Sequence, residues 1–168
     1  MRTFFPAIAA AIVSLSFSMT AIAGGHANNA VDQQKAEEAA MVQMQISMTQ
    51  AKRQAVIAEN LIIDPAKAES FWALYREYSN ERAKLAEEEF KLLVRFRDQL
   101  GSFTEEQAKA ILDDHLRMEQ KYTTLKKRYL SRFRRILTQK ETLTYFQLEN
   151  KMDAILDYEM AEVIPLAQ

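Results

Sequence analysis

The chain has 168 residues, with 22 Lys and Arg against 23 Asp and Glu, a formal net charge of −1 and no cysteine. The balanced charge provides no overall attraction to nucleic acid, and the lack of cysteine excludes thiol catalysis and disulfide bonds. Only three glycines and three prolines interrupt a chain rich in good helix formers, so the composition predicts an all-α protein.

The first 23 residues have the pattern of a cleavable secretory signal peptide. Arg2 supplies a positive start, an apolar run follows, and the sequence AIA at 21–23 is a small-x-small cleavage signature. An uncleaved membrane anchor is the alternative, because the apolar run approaches the length that spans a bilayer. We therefore expect export to the periplasm. The rest of the chain is predicted as a flexible segment at 24–36, a single helical domain at 37–164 and a tail at 165–168.

Four helices are predicted, and the first two lie before the only glycine of the helical region. The first spans roughly residues 33–60, with weak end signals. The second begins at Asp64-Pro65, because Asp can cap free amides and Pro fits the first helical position. It runs to Leu100, where Gly101 can adopt the left-handed conformation that closes a helix.

The third and fourth helices each begin with a capping box, in which a Thr and a Glu or Gln three residues later satisfy each other's backbone amides. The third helix is predicted to reach about Leu137, and the fourth to end before Pro165. The predicted cap residues are Asp64, Thr104, Gln107, Thr138 and Glu141.

Short turns make neighbouring helices antiparallel, so the second and third helices should form a long hairpin. Folding at the turn pairs residue i with roughly residue 204 − i. The aromatic side chains near the open end of the hairpin should then meet, with the fourth helix folding back over them. The side chains predicted to meet there are Phe71, Tyr75, Tyr129, Phe133, Tyr145 and Phe146.

Two short motifs resemble a known family. The sequences FTEEQ at 103–107 and LTQKE at 137–141 resemble the L-T-x-x-Q motif of the Spy/CpxP family of exported helical proteins, with one departure each. IDPAK at 63–67 occupies a third such position, and the resemblance covers about residues 61–158. It implies a thin, curved, elongated helical hairpin that forms a dimer in the bacterial periplasm. Members act as ATP-independent chaperones, as accessory inhibitors of envelope-stress sensors, or as metal-responsive relatives.

The segment KKRYLSRFRR at 126–135 interleaves six cations with aromatic and apolar side chains. One interpretation is that its arginines pair with acidic residues such as Glu77 across the hairpin. The other is a concave apolar and basic face that holds non-native proteins or an acidic partner domain. The residues of this predicted binding face are Phe71, Trp72, Tyr75, Lys126, Lys127, Arg128, Tyr129, Arg132, Phe133 and Arg135.

Three methionines follow one another at helical spacing, at positions 41, 44 and 48. They could be the packing stripe of an amphipathic helix, an adaptable surface for varied partners, or thioether ligands of Cu(I). A second weak metal candidate is His115, one helical turn from Glu119. Neither pattern predicts a tight site, so neither a metal nor a cofactor is expected. Met41, Met44, Met48 and His115 are weak metal candidates only.

No pattern of catalytic residues stands out, because the helical region holds a single histidine, no cysteine and no glycine-rich loop. We therefore expect a non-enzymatic protein. The favoured function is an ATP-independent chaperone or envelope-stress accessory that pairs with a second copy of itself. The alternatives are a regulatory ligand of an envelope-stress sensor and a metal-responsive binding protein. Nucleic acid and stable membrane insertion after signal cleavage are not expected.

Overall fold

The protein is represented by a computed structural model that describes residues 27–167, without the side chains of residues 27–32, 34, 35 and 163. Within that range the chain forms four helices and no strand, so the all-α prediction is confirmed. The helices are α1 (Ala27–Asn60), α2 (Pro65–Gln99), α3 (Glu105–Phe133) and α4 (Gln139–Val163). The predicted signal peptide at 1–23 lies outside the described residues. None of these four helices carries an apolar run sufficient to cross a bilayer.

Two predicted boundaries differ from the structure. The first helix begins at Ala27, so residues 27–36, which were expected to be flexible, belong to α1. The third helix ends at Phe133 instead of near Leu137, because the chain tightens into a turn there. The amides of Ile136 and Leu137 both donate to the Phe133 carbonyl, at 3.0 and 2.8 Å. The tightened turn lets Leu137 enter the core.

The predicted helix caps are confirmed. Thr104 Oγ1 accepts from the Gln107 amide at 3.2 Å, and the Gln107 side chain accepts from the Thr104 amide at 2.9 Å. Thr138 and Glu141 repeat this reciprocal pair at 3.2 and 2.6 Å. Asp64 Oδ1 accepts from the Ala66 amide at 2.9 Å, with Pro65 in the first helical position. Each box satisfies two of the amides that a helix start leaves free.

The hairpin of α2 and α3 turns at Gly101, which adopts φ +78° as predicted. Its register is close to the expected one, since the Phe71 and Phe133 ring centres lie 5.6 Å apart. Further along, ion pairs cross the hairpin with a register offset of a few residues. These pairs are Glu77–Arg132, Glu81–Arg128, Glu88–Lys121 and Asp114–Arg95.

The hydrophobic core occupies one end of the molecule, where all four helices meet. It combines residues 57–78 with residues 125–152. At its centre the rings of Phe133 and Tyr145 are 4.4 Å apart, and Phe71 meets Tyr145 edge-on at 5.6 Å. The fourth helix folds back over the aromatic end of the hairpin, as predicted, and closes that end.

The other end of the hairpin has no such core. No side chain between residues 79 and 117 is fully buried, although this segment holds many large apolar residues. The α1 helix covers one side of it, through an ion pair of Arg97 with Glu38 at 3.2 Å and hydrogen bonds from Gln50 to Ser79. The molecule is therefore tightly packed at one end and loosely covered at the other.

Candidate functional site

The structure corrects the predicted concave binding face. Phe71, Tyr75, Tyr129 and Phe133 are all at most 3% exposed, because α4 closes over them. The prediction that these four rings contact a partner is therefore wrong for this conformation; they form the core. Trp72 is the exception, since it remains half-buried at the edge of the cluster with its ring centre 5.0 Å from Phe71.

The cations of the predicted face divide into two groups. Lys126 points inward and its Nζ lies 2.6 Å from Asp153 Oδ2. Arg132 lies 2.5 Å from Glu77, which is a cross-hairpin pairing that the first interpretation predicted. Arg128 pairs with Glu81, a contact that this interpretation did not predict. The exposed cations for which the described residues supply no ion pair are Lys127, Arg134 and Arg135.

A buried ionic cluster that sequence reasoning missed joins all four helices. Arg53 of α1 pairs with Glu149 of α4, and the two side chains are 4% and 0% exposed. Asp153, one turn further along α4, lies 2.8 Å from Arg53 and 2.5 Å from Arg82 of α2. Lys126 of α3 completes the cluster at Asp153 Oδ2. The cluster therefore places three cations (Arg53, Arg82 and Lys126) around the carboxylates of Glu149 and Asp153.

The cations decide the ionisation of Asp153. Burial alone would raise the pKa of this carboxyl, but the positive charges of Arg82, Arg53 and Lys126 outweigh burial and hold the pKa well below its usual value. The arginines respond in the opposite direction: burial opposes their charge, yet Glu149 and Asp153 raise the pKa of Arg53. Asp153 and the two arginines are therefore charged at neutral pH, and their pairing holds the helices together.

Some polar atoms of this region have no hydrogen-bond partner among the described residues. They are Tyr145 Oη, Glu149 Oε1 and Arg82 Nε, all buried. The Tyr78 hydroxyl, by contrast, lies 3.5 Å from Glu149 Oε2. Unpaired buried polar atoms are destabilising relative to apolar replacements. The hydroxyl of Tyr145 is thus a feature whose removal can be tested.

The sequence did carry a signal for this cluster. On α4, Glu149 lies between Tyr145 and Met152 at helical spacing, so a carboxylate occupies a core position. On α1, Arg53 occupies the same kind of position between Ile46 and Ile57. Two core-facing charges of opposite sign on different helices predict a buried pair.

The two predicted metal candidates, His115 and the methionine stripe, differ in their surroundings. His115 Nε2 lies 3.7 Å from Glu119, but the adjacent Asp114 is engaged by Arg95 and Arg117. Within the described residues no group of three His, Cys, Asp or Glu could hold a metal ion. Met41, Met44 and Met48 are 39%, 54% and 43% exposed, so their interpretation as a packing stripe within this chain is wrong.

Two grooves lie on the loosely covered half. One, of ≈ 630 Å³, runs between α1 and α2 over Val42, Phe90 and Val94, with charged residues at its edges. The other, of ≈ 530 Å³, lies between α2 and α3 and is lined mainly by the polar and charged side chains that pair across the hairpin. Neither groove contains a set of convergent catalytic groups among the residues that line it.

An exposed surface with both apolar and basic character follows α3. Leu112, Leu116, Lys127, Leu130 and Arg134 are spaced by 4, 11, 3 and 4 residues, close to whole helical turns, so they share one side of the helix. We call this side the outer α3 surface. The core side of α3 is defined by Met118, Leu125, Tyr129 and Phe133.

The outer α3 surface is open to contact. Leu112 and Leu116 are 57% and 53% exposed, Leu130 is half-buried, and Lys127 and Arg134 are exposed. From Leu112 to Arg134 the surface extends over ~33 Å of helix. It therefore offers an apolar end and a basic end to one extended partner.

No protein-family model, no curated protein and no solved structure matches this chain.

Proposed function

We propose that the protein is an exported, non-enzymatic helical protein that holds non-native proteins without nucleotide, and that its contact site is the outer α3 surface. The observation that carries the proposal is the exposure of Leu112 and Leu116, at 57% and 53%, on the side of α3 that faces away from the core. Exposed apolar side chains bordered by charge are typical of protein-binding surfaces.

The physical chemistry of this surface favours weak and reversible binding. Full burial of one leucine side chain contributes about 1.5–3 kcal/mol, so two leucines give a modest apolar attraction. Lys127 and Arg134 attract negatively charged clients and accelerate their capture. Because both cations are exposed, salt at physiological concentration screens this attraction beyond ~8 Å.

The signal-like N-terminus and the two motifs that resemble the Spy/CpxP family support export to the periplasm and a chaperone or stress-accessory function. The capping boxes within those motifs are present in the structure, but capping boxes also occur in helices of other families. The proposal therefore rests mainly on the exposed surface.

We further propose a homodimer, as the family resemblance implies. The loosely covered half of the hairpin supports this, because none of its side chains between residues 79 and 117 is fully buried. A second copy could cover Leu100, which is 38% exposed, and the partly buried Phe96 and Phe103. Sedimentation velocity of the mature chain at several concentrations tests this point: a monomer at every concentration contradicts it.

Light scattering from an aggregating substrate protein tests the proposed function. The mature chain should suppress aggregation at low salt, and the double variant Leu112→Gln/Leu116→Gln should lose most of that effect. The matched control is Leu143→Gln on α4, since Leu143 is 60% exposed but lies outside the outer α3 surface. Equal suppression by all three proteins would contradict the assignment of the surface.

Charge reversal provides a second arm of the same experiment. Lys127→Glu/Arg134→Glu should slow capture of an acidic substrate and reduce its dependence on salt. Lys151→Glu, a charge reversal at an exposed residue of α4, is the control.

If the wild-type chain suppressed no aggregation at low salt, the holding function would be excluded. A single stoichiometric membrane partner would then favour the sensor-ligand alternative.

A further inference from the structure

The α1 helix has apolar side chains on two opposite sides. Val42, Ile46 and Ile57 face the other helices and are at most 9% exposed. Met41, Met44 and Met48 lie on the side turned away from them, about half a helical turn around the axis. These three methionines contribute exposed thioethers to the surface instead of volume to the core.

Other methionines of the chain behave differently. Met118 and Met152 are 6% and 3% exposed and fill space in the bundle, which is the usual function of this flexible side chain. The contrast indicates that packing within the chain does not account for the three on α1. Their shared property is the sulfur atom presented to solvent at regular intervals.

The spacing of the three sulfurs suits a single small ion. Side chains three and four residues apart on a helix have Cβ atoms ~5–6 Å apart, so Met44 lies within reach of both neighbours. Met41 and Met48 are ~10.5 Å apart along the axis, a gap that two flexible methionine side chains can close from either end. Three thioethers can therefore converge above Met44.

Thioether sulfur is a soft, uncharged ligand, and it selects soft ions such as Cu(I) over Zn(II), Mg(II) or Ca(II). Among the described residues, no group of three His, Cys, Asp or Glu is placed to hold a metal ion. Thioethers also need no deprotonation, so binding should change little between neutral and mildly acidic pH.

We infer that Met41, Met44 and Met48 form a binding site for one Cu(I) ion on the outer side of α1. The site is separate from the outer α3 surface, so the Cu(I) inference does not depend on the proposed holding function. The sulfurs supply three neutral ligands, so the bound ion keeps its single positive charge.

The test is an anaerobic competition titration of the mature chain against a chromophoric Cu(I) chelator. One Cu(I) per chain should bind, and Met41→Leu/Met44→Leu/Met48→Leu should abolish binding. Met44→Leu alone should weaken it by about tenfold or more, because it removes one of three ligands, and loss of even an outer-shell partner typically costs that much. Leucine retains size and helix propensity at these exposed positions, and circular dichroism checks that folding is unchanged.

Methionine-methyl NMR supplies a second readout that does not depend on the chelator. Addition of Cu(I) should shift the methyl resonances of Met41, Met44 and Met48 and leave those of Met118 and Met152 in place. Met160→Leu on α4 is the control variant and should bind normally. Failure of the wild-type chain to compete for Cu(I), or retention of Cu(I) by the triple variant, would overturn the inference.

Discussion

Arg53 of α1 and Glu149 of α4 form an ion pair in which both side chains are at most 4% exposed. Burial of two charges costs free energy that their attraction recovers only when both partners are present. The pair therefore makes the position of α1 conditional on α4, although the two helices are separated by the whole hairpin in sequence. The pair belongs to the tightly packed end of the molecule and not to the loosely covered half.

Removal of one partner of this pair should be strongly destabilising. We expect Arg53→Met to lower the free energy of unfolding by about 3–5 kcal/mol, since it leaves the buried Glu149 carboxylate without its ion pair. Glu149→Leu should cost less, because Arg53 still has Asp153 at 2.8 Å. The double variant should lose less than the sum of the single variants. Urea unfolding followed by circular dichroism measures all four proteins. Strictly additive losses would show that the two side chains are not coupled.

Asp153 should make stability depend on pH in the acid range. Its pKa is held below the ordinary value of 3.8 in the folded chain, so its contribution is present above that value and is lost as the pH falls through the folded pKa. The stability difference between wild type and Asp153→Asn should therefore stay constant from pH 7 to 5 and shrink below about pH 4.

Urea unfolding at a series of pH values measures this difference. Glu89 and Asp157 have pKa values raised by burial, and their effect on stability runs in the opposite direction. Glu89 is the same in both proteins and largely cancels in the comparison. The effect of Asp157 cancels less completely. The charge of Asp153 also raises the pKa of Asp157, and the Asp153→Asn variant lacks that charge. A difference that grew as the pH fell to 3 would contradict the assignment.

Two tyrosine hydroxyls should respond in opposite ways to removal. Tyr145 Oη is buried without a hydrogen-bond partner among the described residues, so Tyr145→Phe should be neutral or stabilising. Tyr129 Oη donates to Glu81 Oε1 at 2.6 Å, so Tyr129→Phe should lower the free energy of unfolding by about 1.5 kcal/mol or more. Denaturation midpoints measure the stability of the two variants. A larger loss of stability in Tyr145→Phe than in Tyr129→Phe would mean that the Tyr145 hydroxyl has a partner.

The hairpin turn should require glycine for its backbone conformation alone. An added Cβ at Gly101 would meet no atom within 4 Å, so Gly101→Ala should cost only the left-handed backbone strain of about 1–2 kcal/mol. Gly101→Asn should cost less, because asparagine tolerates that conformation better. Thermal unfolding of the two variants distinguishes them. Equal losses would show that the turn is not held at this φ.

The sequence predicted most of the fold because its signals there are local. Capping boxes at Thr104 and Thr138 and the glycine at 101 depend on residues within one turn, and the hairpin register follows from them. Local signals also predicted that α4 folds back over the aromatic end, but they could not reveal that Tyr129 and Phe133 are fully enclosed there. That enclosure depends on how distant helices pack.

The candidate site was predicted less well for a related reason. The stripe of Met41, Met44 and Met48 continues through alanines and has the same helical period as the true core stripe of α1. Periodicity identifies two apolar sides without saying which one is buried. Arg53, a charge on the buried side, made the true core stripe look polar.

The central claim is that a partner chain contacts the outer α3 surface, and site-specific photocrosslinking tests it most directly. A photoreactive residue placed at Leu116 should crosslink to an unfolded substrate protein, whereas the same residue at Leu143 on α4 should crosslink little, although both leucines are more than half exposed. Strong crosslinking from position 143, with none from position 116, would contradict the account.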